Sequence, residues 1–221
     1  MNDITLTNTQ GPHAHARVLV RGNASKPTRA LLLFHGRGAQ AENILHLTEK
    51  ISVPDDLLVC APEDSGHTWY PNRFIVSREE NEPHLSSALD VVDALIATCK
   101  EKYSIKPSDI ALAGFSQGAC LVADYIARNP KKYAGACIFS GGLIGSDEEL
   151  EKEQWKGGLK ATPTYVGCDV QDPHIPRERV EKTSAVLRTL GAEVTSRLYT
   201  DFGHAVHFEG IEFLSALLNR R

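Results

Sequence analysis

The sequence predicts an α/β protein: one domain whose mainly parallel sheet carries helices on both faces. Three observations lead there. Short apolar runs alternate with longer amphipathic segments along all 221 residues. Most of those runs are continuously apolar, as strands buried on both faces must be, rather than alternating like strands with one wet face. No linker, low-complexity tract or internal repeat breaks the alternation, so the strand–helix units belong together. A chain of this length can bury roughly 70% of its surface, enough for one large core.

In chain order, "HARVLVR" (15–21), "RALLLFHG" (29–36) and "DLLVCAP" (56–62) read as the first strands. A helix follows, because Leu85, Leu89, Val92, Leu95, Ile96 and Cys99 recur at helical spacing. "DIALAGFS" (109–116) is the next strand, running into a helix that opens with "QGACLVADYIARNP". "GACIFSGG" (135–142) is a strand, and the charged "SDEELEKEQWKGG" (146–158) is a solvated short helix and turn with no chemistry assigned; Trp155 within it is a packing anchor. "TPTYVG" (162–167) is a strand. Val180, Ser184, Leu187 and Leu190 mark a helix that Gly191 ends. "EVTSRLYT" (193–200) is the last strand, and Phe208, Ile211, Phe213, Leu214, Leu217 and Leu218 form a final helix over 207–218.

Composition narrows the function. With 42% hydrophobic and 24% charged residues and a formal net charge of −4, there is no basic footprint for nucleic acid and no polybasic patch for a membrane. The start, "MNDITLTNTQ", lacks the basic and apolar regions of a secretory signal. Apolar runs such as "ALLLF" are too short to span a bilayer, so no membrane anchor is expected. Five cysteines, an odd number with no Cys-x-x-Cys pair, all sit in apolar stretches. That suits buried free thiols in a reducing compartment, and a cytoplasmic location is the expectation.

The chemistry concentrates in "IALAGFSQGACL" (110–121), where Ser116 is flanked by Gly114 and Gly118. A serine on a sharp turn from a buried strand into a helix lifts its hydroxyl above the sheet, in strained backbone geometry. Side chains two residues before and after it would collide with each other or with adjoining backbone, and glycine removes the collision. The helix then aims its N-terminal amides at the place where negative charge develops. A bare serine is a poor nucleophile, so an acid and then a histidine should follow in the chain. "YVGCDVQDPHIP" supplies Asp169 and Asp172 just after a strand, and "LYTDFGHAVH" supplies His204 after the last one. Both segments fall at the carboxyl ends of strands, where open α/β sheets place their ligands. Pro173 favours an extended Asp172 and a rigid turn, while Asp169 is the alternative third member. Donors for a tetrahedral oxyanion are expected from the backbone N–H of Gln117 and, after an early strand, from that of Arg37 in "LLLFHGRGAQ", where Gly36 and Gly38 permit close approach. His174, His207, Asp169 and Asp172 with His204 match no zinc-enzyme spacing, so no metal is expected. His35 is expected to pack and hydrogen-bond, and His13, His15, His46, His67 and His84 have no partner visible in sequence. Cys120, one helical turn after Ser116, is expected to pack against the sheet.

With the elbow, the "FHGRG" loop and the "DPHIP" and "FGH" segments together, the chain resembles the phospholipase/carboxylesterase family of α/β-hydrolases, over 18–218. The family includes acyl-protein thioesterases and bacterial carboxylesterases and is related to dienelactone hydrolases. The resemblance implies a single α/β-hydrolase domain, with Ser116 as nucleophile, His204 as base and Asp172 as orienting acid. It implies Arg37 and Gln117 as backbone oxyanion donors, and Trp69 and Phe74, in "HTWYPNRF" (67–74), as walls of the acyl pocket. It implies hydrolysis of small-molecule carboxylic esters or thioesters. The segment between "CAPEDSGHTWYP" and the helix at Leu85 is brief and shows no separate apolar lid, so small to medium acyl chains are expected; no cofactor is expected, and a monomer or homodimer is. Two departures stand out. Arg37 replaces the apolar residue usual in thioesterase relatives, and a serine stands where dienelactone hydrolases use cysteine. A dienelactone-type enzyme of aromatic degradation and a non-catalytic binding protein on the same scaffold are the alternatives.

Overall fold

The computed structural model describes residues 3–22 and 26–220. Its strands are β1 (Ile4–Thr5), β2 (Arg17–Arg21), β3 (Arg29–Phe34), β4 (Leu57–Pro62), β5 (Ile110–Phe115), β6 (Gly135–Phe139), β7 (Pro163–Asp169) and β8 (Glu193–Tyr199). They form one sheet in the order β1-β2-β4-β3-β5-β6-β7-β8. β1 and β2 run antiparallel, and β3 to β8 are parallel to one another. The helices are α1 (Ala41–Leu45), α2 (His84–Tyr103), α3 (Gln117–Arg128), α4 (Asp147–Lys152), α5 (Arg177–Thr189) and α6 (Phe208–Leu218).

Successive strand residues feed opposite faces. Leu32 and Phe34 of β3 join Leu112 in a core covered by Leu85 and Val92 of α2, Leu121 of α3 and Leu187 of α5. Leu31 and Leu33 join Ala113 under Ile44 of α1 and Leu214 and Leu217 of α6. Continuous apolar character follows in β3 to β7, where both faces of each strand are dry, whereas β8 at the sheet edge is only partly covered.

All seven strands expected from sequence are present, with shifted ends where local geometry decides. The run at 135–142 stops at Phe139 because Ser140 turns to a φ of 51°. The run at 162–167 continues to Asp169, which pairs with Tyr199 of β8. The stretch at 146–158 contains α4, capped by reciprocal Ser146 and Glu149 hydrogen bonds, and Trp155 packs beneath the Arg128 guanidinium at 5.2 Å. Gly191, at a φ of 86°, follows α5 as expected. Two short elements, β1 and α1, carry no sequence pattern long enough to mark them.

Strands β3 and β5 are neighbours, with Phe34 opposite Gly114, so the loop after β3 and the turn after β5 meet above the sheet. The close approach has a cost if filled. A Cβ on Gly118 would sit 2.2 Å from the Phe34 carbonyl oxygen and 2.5 Å from that of His35. We therefore expect Gly118→Ala to destabilise the fold by about 3 kcal/mol, lowering Tm by about 6–12 °C. A thermal melt superimposable on wild type would show that the contact is slack.

Candidate active site

Ser116 sits at the carboxyl end of β5 and caps α3, with φ 54° and ψ −118°. No L-residue adopts such angles without strain, and the neighbours hold it there: its N–H donates to Phe139 O at 2.9 Å. A Cβ on Gly114 would lie 2.4 Å from the carbonyl of Gly118, so the glycine pair is a steric requirement of the turn. Gly36, on the loop after β3, also packs close, where a Cβ would stand 3.2 Å from that of Ser116.

The loop after β8 brings His204 across to the serine. A carboxylate only accepts, so His204 Nδ1–H donates to Asp172 Oδ2 at 2.7 Å. Nε2 is left free to accept from the Ser116 hydroxyl at 2.8 Å. The imidazole lies between the rings of Phe115 and His174, each 4.8 Å away between centroids. In this geometry the imidazole can take the hydroxyl proton while the carboxylate steadies the positive charge that results.

Asp172 is held from all sides. Oδ1 accepts the N–H groups of His174 (2.8 Å) and Ile175 (3.1 Å), and Oδ2 also accepts the Cys168 thiol at 3.5 Å. Burial pushes its carboxyl up, but the His204 imidazole and the two N–H donors outweigh burial and hold it below the usual range. Depressed relative to the unfolded value of about 3.9, this group stabilises the fold fully above that pH and ceases to do so as pH falls through its folded value. It is ionised throughout the neutral range.

Asp169 does a different job. Its Oδ1 accepts from Gln171 N–H (2.7 Å), and its Oδ2 from the N–H groups of Phe202 (2.6 Å) and Gly203 (3.0 Å). It ties the loop carrying Asp172 to the loop carrying His204 without bonding to the imidazole. Ser140 Oγ–H adds a second tie, donating to Ala205 O at 3.2 Å. Sequence reasoning missed this bracing, because the partners lie 33 and 34 residues apart and no local spacing marks them.

Among the described residues, the N–H groups of Arg37 and Gln117 make no hydrogen bond within the protein. Both flank Ser116, one at the end of the loop from β3 and one at the start of α3, free to receive an oxyanion. A cleft of about 590 Å³ opens there, lined by Tyr70, Phe74, Phe115, Cys120 and Ile175 around Ser116 and His204.

Phe74 lies in the cleft wall, and the expected wall position of Trp69 needs correction. Trp69 is fully buried and absent from the lining; its indole N–H donates to His35 O at 3.0 Å, and its ring packs on Phe34, His13 and His35. The irregular 67–74 segment turns Trp69 into the core beneath the loop after β3, and its neighbour Tyr70, itself only 1% exposed, borders the cleft instead. Cys120 packs as expected, accepting from Gly142 N–H at 3.4 Å, but it also floors the cleft. Burial pushes its thiol up to about 12, which keeps it protonated and unreactive. His207 stacks on Tyr199 at 3.6 Å and accepts from Glu209 N–H at the start of α6. His35 Nδ1–H donates to Gly36 O at 2.9 Å, and His13 is buried, bonded to Trp69 O and Ser65 N–H. Among the described residues no group of three or more His, Cys, Asp or Glu side chains is arranged to hold a metal ion, and no helix is long and apolar enough to cross a membrane.

A hydrogen-bonded Ser–His–Asp chain at the carboxyl ends of an α/β sheet is the class that fold and geometry define. Residues 15–220 match the Phospholipase/Carboxylesterase family, and the chain belongs to it. It is similar to the crystal structure of a phospholipase/carboxylesterase from Dyadobacter fermentans, at 32% identity over 92% of this chain and 96% of that one, with a TM-score of 0.83. It is also similar to acyl-protein thioesterase 1 of Aspergillus fumigatus, 29% identical over 146 residues, which is 65% of this chain and 59% of that protein. A match to a probable carboxylesterase of Arabidopsis thaliana spans 44% of the latter's length. Esterase YpfH of Escherichia coli aligns at 21% identity over 90% of this chain and 85% of its own.

The two aspartates should separate in kinetics. Asp172→Asn is expected to lower kcat by roughly 10³–10⁴-fold, since the amide cannot stabilise an imidazolium. Asp169→Asn, which leaves one oxygen to serve donors on two loops, should cost roughly 10–100-fold. Steady-state rates on an activated ester decide the order, and a larger loss in Asp169→Asn would transfer the orienting role to that residue.

Proposed function

We propose that the protein is a serine hydrolase that cleaves carboxylic esters, and thioesters by the same route, through an acyl-enzyme on Ser116. The observation that carries this reading is the unbroken chain from Ser116 Oγ through His204 to Asp172, at 2.8 and 2.7 Å. Family membership and the names of the relatives support it.

Ser116 Oγ attacks the ester carbonyl carbon as its proton passes to His204 Nε2, and the carbonyl π pair moves onto oxygen. The N–H groups of Arg37, on the loop after β3, and of Gln117, at the positive end of α3, receive that oxyanion. Collapse expels the alkoxide or thiolate, which takes the proton from His204 and leaves an acyl ester on Ser116. Water then attacks that ester, giving its proton to His204, and the second collapse returns the proton to Ser116 Oγ and releases the acid. Asp172 holds the imidazole in the tautomer both halves require.

The cleft volume, about 590 Å³, suits a small-molecule ester. The segment between β4 and α2 supplies Tyr70 and Phe74 to that cleft, and we read its size as fitting acyl chains of small to medium length. The low net charge and buried free thiols are compatible with action on a soluble substrate in a reducing compartment.

Ser116→Ala should lose on the order of 10⁴-fold or more in turnover while its melting curve stays near wild type. Activity within tenfold of wild type would remove the serine from the mechanism. At the wall, Phe74→Ala should shift the preference among acetate, butyrate and octanoate esters. Trp69→Ala should act mainly through stability, by about 3–5 kcal/mol for loss of a buried tryptophan. Acyl selectivity that follows position 69 and ignores position 74 would reverse this assignment.

A further inference from the structure

The two residues whose N–H groups face the cleft also share a second partner. The Arg37 guanidinium donates from Nη1 to Pro71 O (2.7 Å) and from Nη2 to Tyr70 O (2.9 Å) and Asn72 O (2.7 Å), grasping three successive carbonyls. The buried Gln117 carboxamide takes the preceding stretch. Its Oε1 accepts from Trp69 N–H (2.9 Å), and its Nε2 donates to Tyr70 O (2.8 Å). Tyr70 O is thus held by both side chains at once. Two further bonds join the same strips: Gly38 N–H donates to His67 O at 2.8 Å, and the Trp69 indole N–H to His35 O.

Between β4 and α2 the segment 67–74 has no helix or strand, so its backbone groups have no regular partners and need side chains to satisfy them. Arginine suits this because its planar fork spans several acceptors, which a lysine ammonium cannot do in fixed geometry. No carboxylate among the described residues lies within 4.0 Å of the Arg37 guanidinium, whereas Arg78 and Arg128 share Asp124 and Arg179 pairs with Asp147. The carbonyls are what Arg37 binds. The same segment supplies Tyr70 and Phe74 to the cleft wall, so Arg37 on one flank and Gln117 on the other fasten wall to loop at 70–72, beyond the Gly38–His67 and Trp69–His35 bonds at its start.

We propose that the Arg37 and Gln117 side chains are positioning residues: they lock the acyl-pocket wall at 70–72 to the backbone N–H groups of Arg37 and Gln117, so that wall and oxyanion hole move as one body. This rests on the serine-hydrolase reading above. Arginine at position 37 is then the device by which this chain fixes an otherwise irregular wall. Precise donor placement is felt in the transition state rather than in the bound ground state, and a loosened clamp therefore lowers kcat more than it raises KM.

Arg37→Leu keeps the backbone N–H and removes the clamp, and Arg37→Lys keeps the charge without the fork. Both are measured with p-nitrophenyl acetate and butyrate, together with affinity for butylboronic acid, which forms a tetrahedral adduct on the serine, and for butyrate, which does not. Expected for both variants is a loss in kcat of roughly 10–100-fold. The boronate should bind more weakly by a comparable factor, butyrate within about twofold of wild type, and Tm should stay close to wild type. Wild-type kcat and boronate affinity in Arg37→Leu would overturn the proposal, and so would full recovery in Arg37→Lys, which would make charge and not the fork responsible. Equal weakening of boronate and butyrate would reduce the side chain to a pocket contact and overturn it too. A wild-type protein that hydrolyses neither ester would overturn the serine-hydrolase reading itself, an outcome distinct from the other three.

Discussion

The close packing of the β5–α3 turn against the end of β3 is the constraint on which the rest of the structure depends. Between Phe34 O and the start of α3 there is space for a hydrogen on residue 118 and not for a methyl group. That contact presses the turn so tightly that Ser116 must take a positive φ, which raises its hydroxyl clear of the sheet. It also sets the Arg37 and Gln117 N–H groups on either side of the serine, because β3 and β5 are adjacent in the sheet. Strain at Ser116 is tolerated because buried strands on both sides over-determine the backbone there.

The remaining parts are irregular loops, and each is held by a polar side chain rather than by secondary structure. Asp169 braces the acid loop against the histidine loop, Ser140 pins Ala205, and Arg37 and Gln117 hold the wall. Such bracing converts irregular connections into a fixed constellation, which the proposed nucleophile, base and oxyanion donors require if they are to meet within hydrogen-bonding distance. The sheet supplies rigidity, and the side-chain ties export it to the loops that carry chemistry.

What could be read from sequence was what depends on neighbours in sequence. The elbow was legible because Gly114, Ser116 and Gly118 span five residues and the steric conflict is local. The central strands were legible because both faces are buried, and Asp172 stood out because Pro173 restricts the residue before it. Trp69 was misread for a physical reason. In a segment with neither helical nor strand period, nothing in the spacing tells which side chain turns inward, and Tyr70, its neighbour, borders the cleft instead. The bonds made by the Arg37 side chain reach 33 to 35 residues along the chain, and those of Asp169 a similar distance. Only the folded sheet brings such partners together. Strand β1, two residues long, is too short for any pattern to announce it.

Reaction with a fluorophosphonate, followed by peptide mass spectrometry, tests Ser116 as the nucleophile most directly. One phosphonyl group per chain, carried on the peptide that contains Ser116, with ester hydrolysis lost in proportion to labelling, is the predicted result. Hydrolysis that survives complete labelling of Ser116, or a label carried by another residue as activity disappears, would contradict it.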